Sequence, residues 1–260
     1  MTRKQSNPGA WQLRPDEVHV WCIALDVPPE TLARAFESLD SDERARSARF
    51  RFEHDRERFV VAHGALRILI SRYLETRPER IAYAYNAFGK PELNRELGET
   101  LKFNLSRSGG LAVVAVTADV EIGVDVERIE RQSDFIDTAR FFFSAAEFDH
   151  LMARPSHLRP ESFFSCWTKK EACLKASGEG LATSPDRITV PFGIDPPRRP
   201  TAVSPASSND GSRRFCSMYT LAPAPGYIGA LAIEGTHRRL SQRSWQPPSW
   251  PAADPARIFA

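Results

Sequence analysis

The chain has 260 residues, of which 42% are hydrophobic and 26% are charged, the composition of an ordinary globular protein. Its formal net charge of +2 excludes a whole-protein attraction to nucleic acid. No stretch approaches the roughly 18 apolar residues of a membrane span, and the N-terminus lacks the apolar segment of a secretory signal. We therefore expect a cytoplasmic protein without membrane contact.

Cysteine usage points to the same compartment. The four cysteines show no C-x-x-C spacing, and a core of this size needs neither a disulfide nor a metal in order to fold. We expect four buried free thiols, at Cys22, Cys166, Cys173 and Cys216.

The first part of the chain reads as an α+β unit over residues 16–118, preceded by a flexible N-terminal arm at 1–15. β-branched and aromatic residues predict a strand at 17–26, and helical spacing of apolar residues predicts three helices. A strand, a turn and a hairpin around Gly109-Gly110 complete the unit. The predicted helices are 30–39, 42–50 and 55–75, and the later strands are 81–85, 102–106 and 111–117.

The second part, residues 119–235, repeats this style and predicts a second α+β unit. Ser144 and Glu147 have capping-box spacing before one helix, and Pro160 and Gly178 bracket another. Residues 191–212 read as a mobile loop, and 236–260 as a proline-rich extended tail with little to pack. We expect an α+β fold of two similar halves, although the residues show no strong repeat. The predicted strands are 122–127, 188–190, 214–221 and 227–233.

Two acidic residues stand out in the pattern Gly123-Val124-Asp125-Val126-Glu127. Side chains two apart on a strand share a face, so both carboxylates project together while the valines face the other way. Neighbouring carboxylates repel each other unless a cation lies between them, and Mg²⁺ prefers such oxygen ligands. The pattern fits a metal site, and it also fits an exposed strand face with solvated acids.

A second pattern places Trp167, Glu171 and Lys175 on one stripe of a helix, with Lys170 about 100° away. This stripe fits a surface that is merely salt-bridged. It also fits a site in which Glu171 is a third metal ligand while Lys170 and Lys175 contact phosphate oxygens.

The stretch FNLSRS at 103–108, followed by Gly109-Gly110, combines short polar residues with glycines. Such a strand end allows backbone N–H groups to approach an anion, although a hairpin turn is the simpler interpretation. Lys90 stands in a rigid turn before Pro91. A basic cluster alternates with acids and indicates mainly a solvated surface; it comprises Arg44, Arg46, Arg49, Arg51, Arg56 and Arg58.

Taken in order, GKPEL, FNLSRS, GVDVE and WTKKEACLKASGEGL resemble the signature set of Sfp-type 4′-phosphopantetheinyl transferases. The resemblance covers residues 42–181, including a stretch at 49–67 that is similar to an N-terminal helix of that family. It implies two similar α+β halves with coenzyme A (CoA) between them. It also implies Mg²⁺-dependent transfer of phosphopantetheine to a serine of an apo acyl or peptidyl carrier protein, with release of adenosine 3′,5′-bisphosphate.

The resemblance assigns roles to individual residues. It implies three magnesium ligands, Asp125, Glu127 and Glu171, and three catalytic residues, Glu171, Glu127 and Lys175, with Glu171 the preferred base. Arg107 departs from the usual histidine but keeps a phosphate donor, and Phe59 departs from a small polar residue. The implied CoA-binding residues are Arg58, Lys90, Ser106, Arg107, Lys170 and Lys175.

Two other functions stay open at this point. A Mg²⁺-dependent hydrolase of CoA or another nucleotide pyrophosphate would differ only in using water as the acceptor. A non-catalytic CoA-binding module would not need the three acids. We expect a monomer that binds CoA and a carrier protein and does not bind nucleic acid.

Overall fold

The computed structural model describes residues 11–94, 101–130, 134–178, 185–193, 201–203, 216–235 and 237–247. They form an α+β fold, as predicted. The helices are α1 (Pro29–Glu37), α2 (Ser41–Ser47), α3 (Glu53–Tyr73), α4 (Phe135–Phe142), α5 (Ala145–Met152) and α6 (Arg159–Ser177). The strands are β1 (Glu17–Ala24), β2 (Tyr83–Tyr85), β3 (Pro91–Leu93), β4 (Leu101–Ser108), β5 (Leu111–Ala118), β6 (Ile122–Arg128), β7 (Thr201–Val203), β8 (Cys216–Leu221), β9 (Tyr227–Glu234) and β10 (Arg239–Ser244).

Two four-stranded sheets have the strand orders β10-β1-β5-β4 and β6-β9-β8-β7, in which β1-β5-β4 and β6-β9-β8 share one topology. In each half the first strand leads into helices that end with the longest one, α3 or α6. A hairpin follows the long helix, β4–β5 in the first half and β8–β9 in the second. Its second strand pairs with the first strand of the half. The two halves are therefore similar, as the sequence predicted.

Alternation along the strands divides the core between the layers. Trp21 and Ile23 of β1 pack with α3 in one cluster, whereas α6 packs on the second sheet in another. Val18 and Val20 face the opposite way and join Val124 of β6 in a third cluster, which draws on both sheets. The two sheets thus lie against each other between the long helices.

Side chains of β4 join the first sheet to β6 of the second. The backbone N–H groups of β6 donate to side-chain oxygens of β4, at 2.8, 3.4 and 3.1 Å. Among the described residues no backbone ladder joins these two strands. We call this contact the seam; its pairs are Asn104 with Val124, Ser106 with Val126, and Ser108 with Arg128.

A buried arginine ties the helices of the first half together. Arg67 of α3 is fully buried and bonds to Asp40 and Glu43, the two residues of the capping box that begins α2. It also donates to the carbonyl oxygens of Pro78 and Ile81, at 3.2 and 2.8 Å. The cation satisfies a helix cap and a turn at once.

A buried lysine occupies the corresponding place in the second half. Lys170 of α6 lies 2.7 Å from Glu147, which forms the capping box of α5 with Ser144. It also donates to the carbonyls of Pro185 and Ile188. The two turns read Pro-Glu-Arg-Ile at 78–81 and Pro-Asp-Arg-Ile at 185–188. The halves therefore share a packing device as well as a topology.

Residues 11–15 and 237–247 pack more than was predicted. β10 pairs in parallel with β1, and Trp245 after it is only 6% exposed, so the prediction of a tail with little to pack is wrong for these residues. Trp11 stacks on Trp21 with ring centroids 4.3 Å apart, which contradicts a flexible arm at residues 11–15. In both segments the sequence offers one large aromatic residue, which is too little for a periodicity argument.

Other differences from the prediction are local. The strand expected at 188–190 is absent, because this stretch belongs to the turn held by Lys170. Within the expected loop at 191–212, residues 201–203 form β7, and most of the remainder lies outside the described residues. In the described part of the chain no helix is both long and apolar enough for a membrane span. The four cysteines are buried free thiols, as predicted.

Candidate active site

Strand β6 presents a glycine and two acids toward helix α6. A Cβ on Gly123 would lie 2.1 Å from the carbonyl oxygen of Ala172, so only glycine allows α6 to approach this closely. The approach brings Lys175 of α6 onto Asp125, two residues further along the same face of β6. Val124 and Val126 are fully buried on the other face, as predicted.

Asp125 is the most deeply buried acid of the site, at 3% exposed. Its Oδ1 accepts hydrogen bonds from Lys175 Nζ at 2.6 Å and from Ser106 Oγ at 2.8 Å. Its Oδ2 is buried and has no hydrogen-bond partner among the described residues. Burial raises the pKa of this carboxyl, although Lys175 and Ser106 both act to lower it.

Two further acids surround Asp125. Glu127 accepts a hydrogen bond from Ser108 Oγ at 2.7 Å, and burial, helped by Asp125 and Glu171, raises its pKa to about 6. Burial and the charge of Asp125 likewise raise the pKa of Glu171. The charge of Asp125 thus opposes the ionisation of both glutamates, and the charge of Glu171 opposes that of Glu127.

The donor chemistry of these acids fits a hard cation. All three ligands predicted from the resemblance offer oxygen atoms, and the unpartnered Oδ2 of Asp125 is a buried acceptor that lacks a donor. No group of three or more His, Cys, Asp or Glu side chains in the described residues is close enough to hold a metal ion. Lys175 supplies the positive charge next to Asp125 in this arrangement. The three-ligand magnesium site stays a prediction.

The prediction that Lys170 contacts CoA phosphates is contradicted. Its ammonium group is buried and bound to Glu147 and two carbonyl oxygens, on a different side of α6 from Lys175. Lys169 is also buried and donates to the carbonyls of Pro191 and Gly193. Both lysines of the Trp-Thr-Lys-Lys-Glu motif therefore hold the segment at 185–193 against α6.

Arg107 follows Ser106 on β4 and is exposed. Its guanidinium lies over the ring of Phe50, 5.6 Å from the centroid, and over the ring of Phe59 at 6.0 Å. Arg46 lies over Phe59 as well, at 5.4 Å. Neither arginine forms an ion pair within the described residues, although the charge of Asp55 acts on Arg107, so two positive charges converge on one aromatic surface.

The two remaining basic residues have acidic partners in the chain. Arg58 donates to both carboxylate oxygens of Asp26, at 2.8 and 3.2 Å. Lys90 lies 2.7 Å from Glu121, immediately before β6, beside a cavity of about 330 Å³. Contact of either residue with CoA stays a prediction.

Sequence reasoning missed three contributors to this site: Ser108, Arg46 and Tyr227. Ser108 could have been found from the alternation Asn104-x-Ser106-x-Ser108, which places three short polar side chains on one face of a strand. Arg46 was counted as part of a solvated surface, because its approach to Arg107 depends on how α2 packs. Tyr227, whose hydroxyl accepts the backbone N–H of Gly110 just after β4 at 3.1 Å, carried no local signal.

Two family models match most of the chain. A family model described as the 4′-phosphopantetheinyl transferase superfamily matches residues 121–220, and one described as 4′-phosphopantetheinyl transferase, N-terminal, matches residues 27–119. The 4′-phosphopantetheinyl transferase HetI of Nostoc sp. is 36% identical to this chain, covering 90% of it and 92% of the relative. The chain belongs to the 4′-phosphopantetheinyl transferase superfamily.

More distant relatives carry the same description. The 4′-phosphopantetheinyl transferase psf-1 of Bacillus pumilus is 33% identical and covers 59% of this transferase and 64% of its own length. The 4′-phosphopantetheinyl transferase Sfp of Bacillus subtilis is 27% identical and covers 66% of this chain and 75% of the relative. These matches confirm the family and enzyme class predicted from the resemblance.

The two lysines of α6 should separate stability from activity. Lys170→Met should lower the free energy of unfolding by about 3 to 5 kcal/mol, because it leaves Glu147 buried without its cation. Lys175→Met should cost clearly less stability, since Lys175 is partly exposed and Asp125 can take up a proton, but it should reduce turnover about a hundredfold or more. Urea unfolding and initial rates of CoA consumption measure the two effects. A CoA-specific defect in a fully stable Lys170→Met variant would contradict the structural role of Lys170.

Proposed function

We propose that this transferase moves the phosphopantetheine arm of CoA onto a serine of an apo carrier protein, with Mg²⁺ as its cofactor. Asp125, Glu127 and Glu171 would hold the metal. The observation that carries the proposal is Asp125, a buried acid with one unpartnered oxygen, bound by Lys175 at the seam between the halves. When bound, Mg²⁺ would neutralise the negative charge of the CoA pyrophosphate.

The reaction breaks a phosphoanhydride bond and forms a phosphodiester bond. The carrier serine oxygen bonds to the phosphorus that carries pantetheine, and the bond from that phosphorus to the bridging pyrophosphate oxygen breaks. Adenosine 3′,5′-bisphosphate leaves with the bond electrons. Lys175 is partly exposed beside Asp125, so its ammonium group can also reach phosphate oxygens and stabilise the charge that develops there.

A base must accept the proton of the carrier serine. We assign this role to Glu171, with Glu127 as the second choice. Glu171 lies one helical turn from Lys175 on the same stripe of α6. No residue in the described part of the chain hydrogen-bonds to the carboxylate of Glu171. Glu127 already accepts a hydrogen bond from Ser108 and is therefore less free to turn toward an incoming hydroxyl.

Arg107 and Arg46 suit the 3′-phosphate of CoA. A phosphate monoester carries up to two negative charges, and the two unpaired guanidinium groups supply two positive ones. Arg107 is adjacent in the chain to Ser106, which bonds to Asp125. One strand would thus contact both the phosphate at the nucleoside end and the metal site.

The carrier protein would dock through an acidic surface onto the exposed arginines around α2. Arg44, Arg49 and Arg51 are exposed there, and no carboxylate of the described residues forms an ion pair with them. The buried free thiols agree with a reducing, cytoplasmic location. We also propose that the enzyme acts as a monomer on CoA and a carrier protein, without nucleic acid.

Mass spectrometry of apo-carriers tests the proposed function. A panel of acyl and peptidyl carriers, incubated with CoA, Mg²⁺ and the enzyme, should include at least one that gains a single phosphopantetheine on serine. A chelator should abolish the gain, and excess Mg²⁺ should restore it. Release of adenosine bisphosphate from CoA with no carrier modified would instead indicate a hydrolase, and binding of CoA without any product would indicate a binding module.

Donor specificity tests the arginine pair. Arg107→Ala and Arg46→Ala should each weaken the binding of CoA by about 10- to 150-fold, the range for one charge-assisted hydrogen bond. Both should scarcely affect dephospho-CoA, which lacks the 3′-phosphate. Arg56→Ala is the matched control, because Arg56 is paired with Glu53 on the exposed start of α3 and should change neither donor.

The measurement is KM for both donors at fixed Mg²⁺ in the wild type and the three variants. An equal loss for the two donors would assign Arg107 and Arg46 to the pyrophosphate or to packing on Phe59.

A further inference from the structure

We propose that Ser108 is a positioning residue that orients Glu127 by hydrogen bonding across the seam. The inference rests on the proposed function, in which Glu127 is a magnesium ligand. Ser108 Oγ lies 2.7 Å from Glu127 Oε2 and 3.1 Å from the backbone nitrogen of Arg128. One hydroxyl on β4 therefore contacts both the side chain of Glu127 and the backbone that follows it.

The direction of these two hydrogen bonds follows from their chemistry. A serine hydroxyl has one proton to donate, and a backbone N–H can only donate. Since Arg128 N–H donates to Ser108 Oγ, the hydroxyl proton points to Glu127 Oε2. That oxygen must then act as an acceptor, which leaves Oε1 as the oxygen available to a cation. Ser108 thereby fixes both the position of the carboxylate and which of its oxygens faces the ligand.

The same arrangement occurs two residues earlier on both strands. Ser106 Oγ accepts from Lys175 Nζ and from the backbone nitrogen of Val126, so its own proton goes to Asp125 Oδ1. The other oxygen of Asp125 is the one without a partner. In both places a serine engages one carboxylate oxygen and leaves the second for a ligand.

The start of the seam gives a natural comparison. Asn104 Oδ1 accepts the backbone N–H of Val124 in the same register. The residue just before Val124 is Gly123, which has no carboxylate. Amide and hydroxyl groups both serve to hold the β6 backbone. The serines occupy the two positions where the β6 residue just before the N–H donor is an acid, which indicates that they act on the acids as well as on the backbone.

The second half fixes the strand end that carries Ser108. The backbone N–H of Gly110 donates to Tyr227 Oη of β9 at 3.1 Å. Gly109, between Ser108 and Gly110, has φ +53°, and a Cβ on it would lie 3.0 Å from Tyr227 Oη. The turn after Ser108 is thus held by the same half that carries Glu127, so Ser108 is fixed relative to its partner.

An isosteric pair of variants isolates the hydroxyl. Ser108→Thr keeps it and Ser108→Val removes it, and both side chains favour strands, so both variants should fold. Ser217→Ala is the matched control, because Ser217 Oγ donates to the carbonyl of Gly235 in the second sheet, at 3.0 Å. CoA is titrated into each protein by calorimetry without carrier, over a series of Mg²⁺ concentrations. The quantity compared is the Mg²⁺ concentration that gives half of the gain in CoA affinity.

Ser108→Val should raise this concentration about 10-fold or more, as expected for losing a hydrogen bond to a charged group. Ser108→Thr and Ser217→Ala should stay within about threefold of the wild type. In a Glu127→Ala background the same Ser108→Val change should have little further effect, because the residue through which it acts is gone.

Three results would overturn the inference. They are an unchanged half-saturating Mg²⁺ concentration in Ser108→Val, an equal effect with and without Glu127, and CoA binding by the wild type that does not respond to Mg²⁺. These titrations involve no carrier, so they remain readable if the enzyme modifies no carrier. That outcome would contradict the transferase proposal alone.

Discussion

The site depends on a contact between two strands that belong to different sheets. β4 and β6 lie side by side, but side chains of β4 take the place of the backbone acceptors that a ladder would supply. Because Ser106 and Ser108 also donate to Asp125 and Glu127, one set of side chains joins the halves and orients the acids. Assembly of the two halves and formation of the site are therefore the same event.

Much of this could be predicted from the sequence. The strand pattern of β6 correctly placed Asp125 and Glu127 on one face, and helical spacing placed Glu171 and Lys175 on one stripe. The prediction that Lys170 contacts CoA was wrong, because burial of a lysine is decided by partners distant in sequence. Here those partners are Glu147 and the turn at 185–188. The arginine pair and the packing of Trp245 likewise depend on tertiary contacts that no local pattern encodes.

The repeated packing device explains why the halves look alike although their sequences do not. Arg67 and Lys170 differ in chemistry, yet each is a buried cation that joins a capping-box glutamate to a proline-initiated turn. The acids of the site have no such counterpart at positions 19, 21 and 23 of β1, the strand that corresponds to β6, where Trp21 and Ile23 pack with α3. Catalysis is thus supported by two similar scaffolds, of which one supplies the carboxylates and the other the seam.

In the proposed site, burial of Asp125 serves ligand binding at the expense of stability. Because burial raises the pKa of this carboxyl in the folded state, ionising it costs more free energy in the folded chain than in the unfolded chain. Asparagine resembles the protonated acid. Thermal unfolding and turnover of Asp125→Asn at neutral pH test the claim most directly. We expect equal or higher thermal stability, with turnover reduced at least about a hundredfold. A clear loss of stability with near-normal turnover would contradict it.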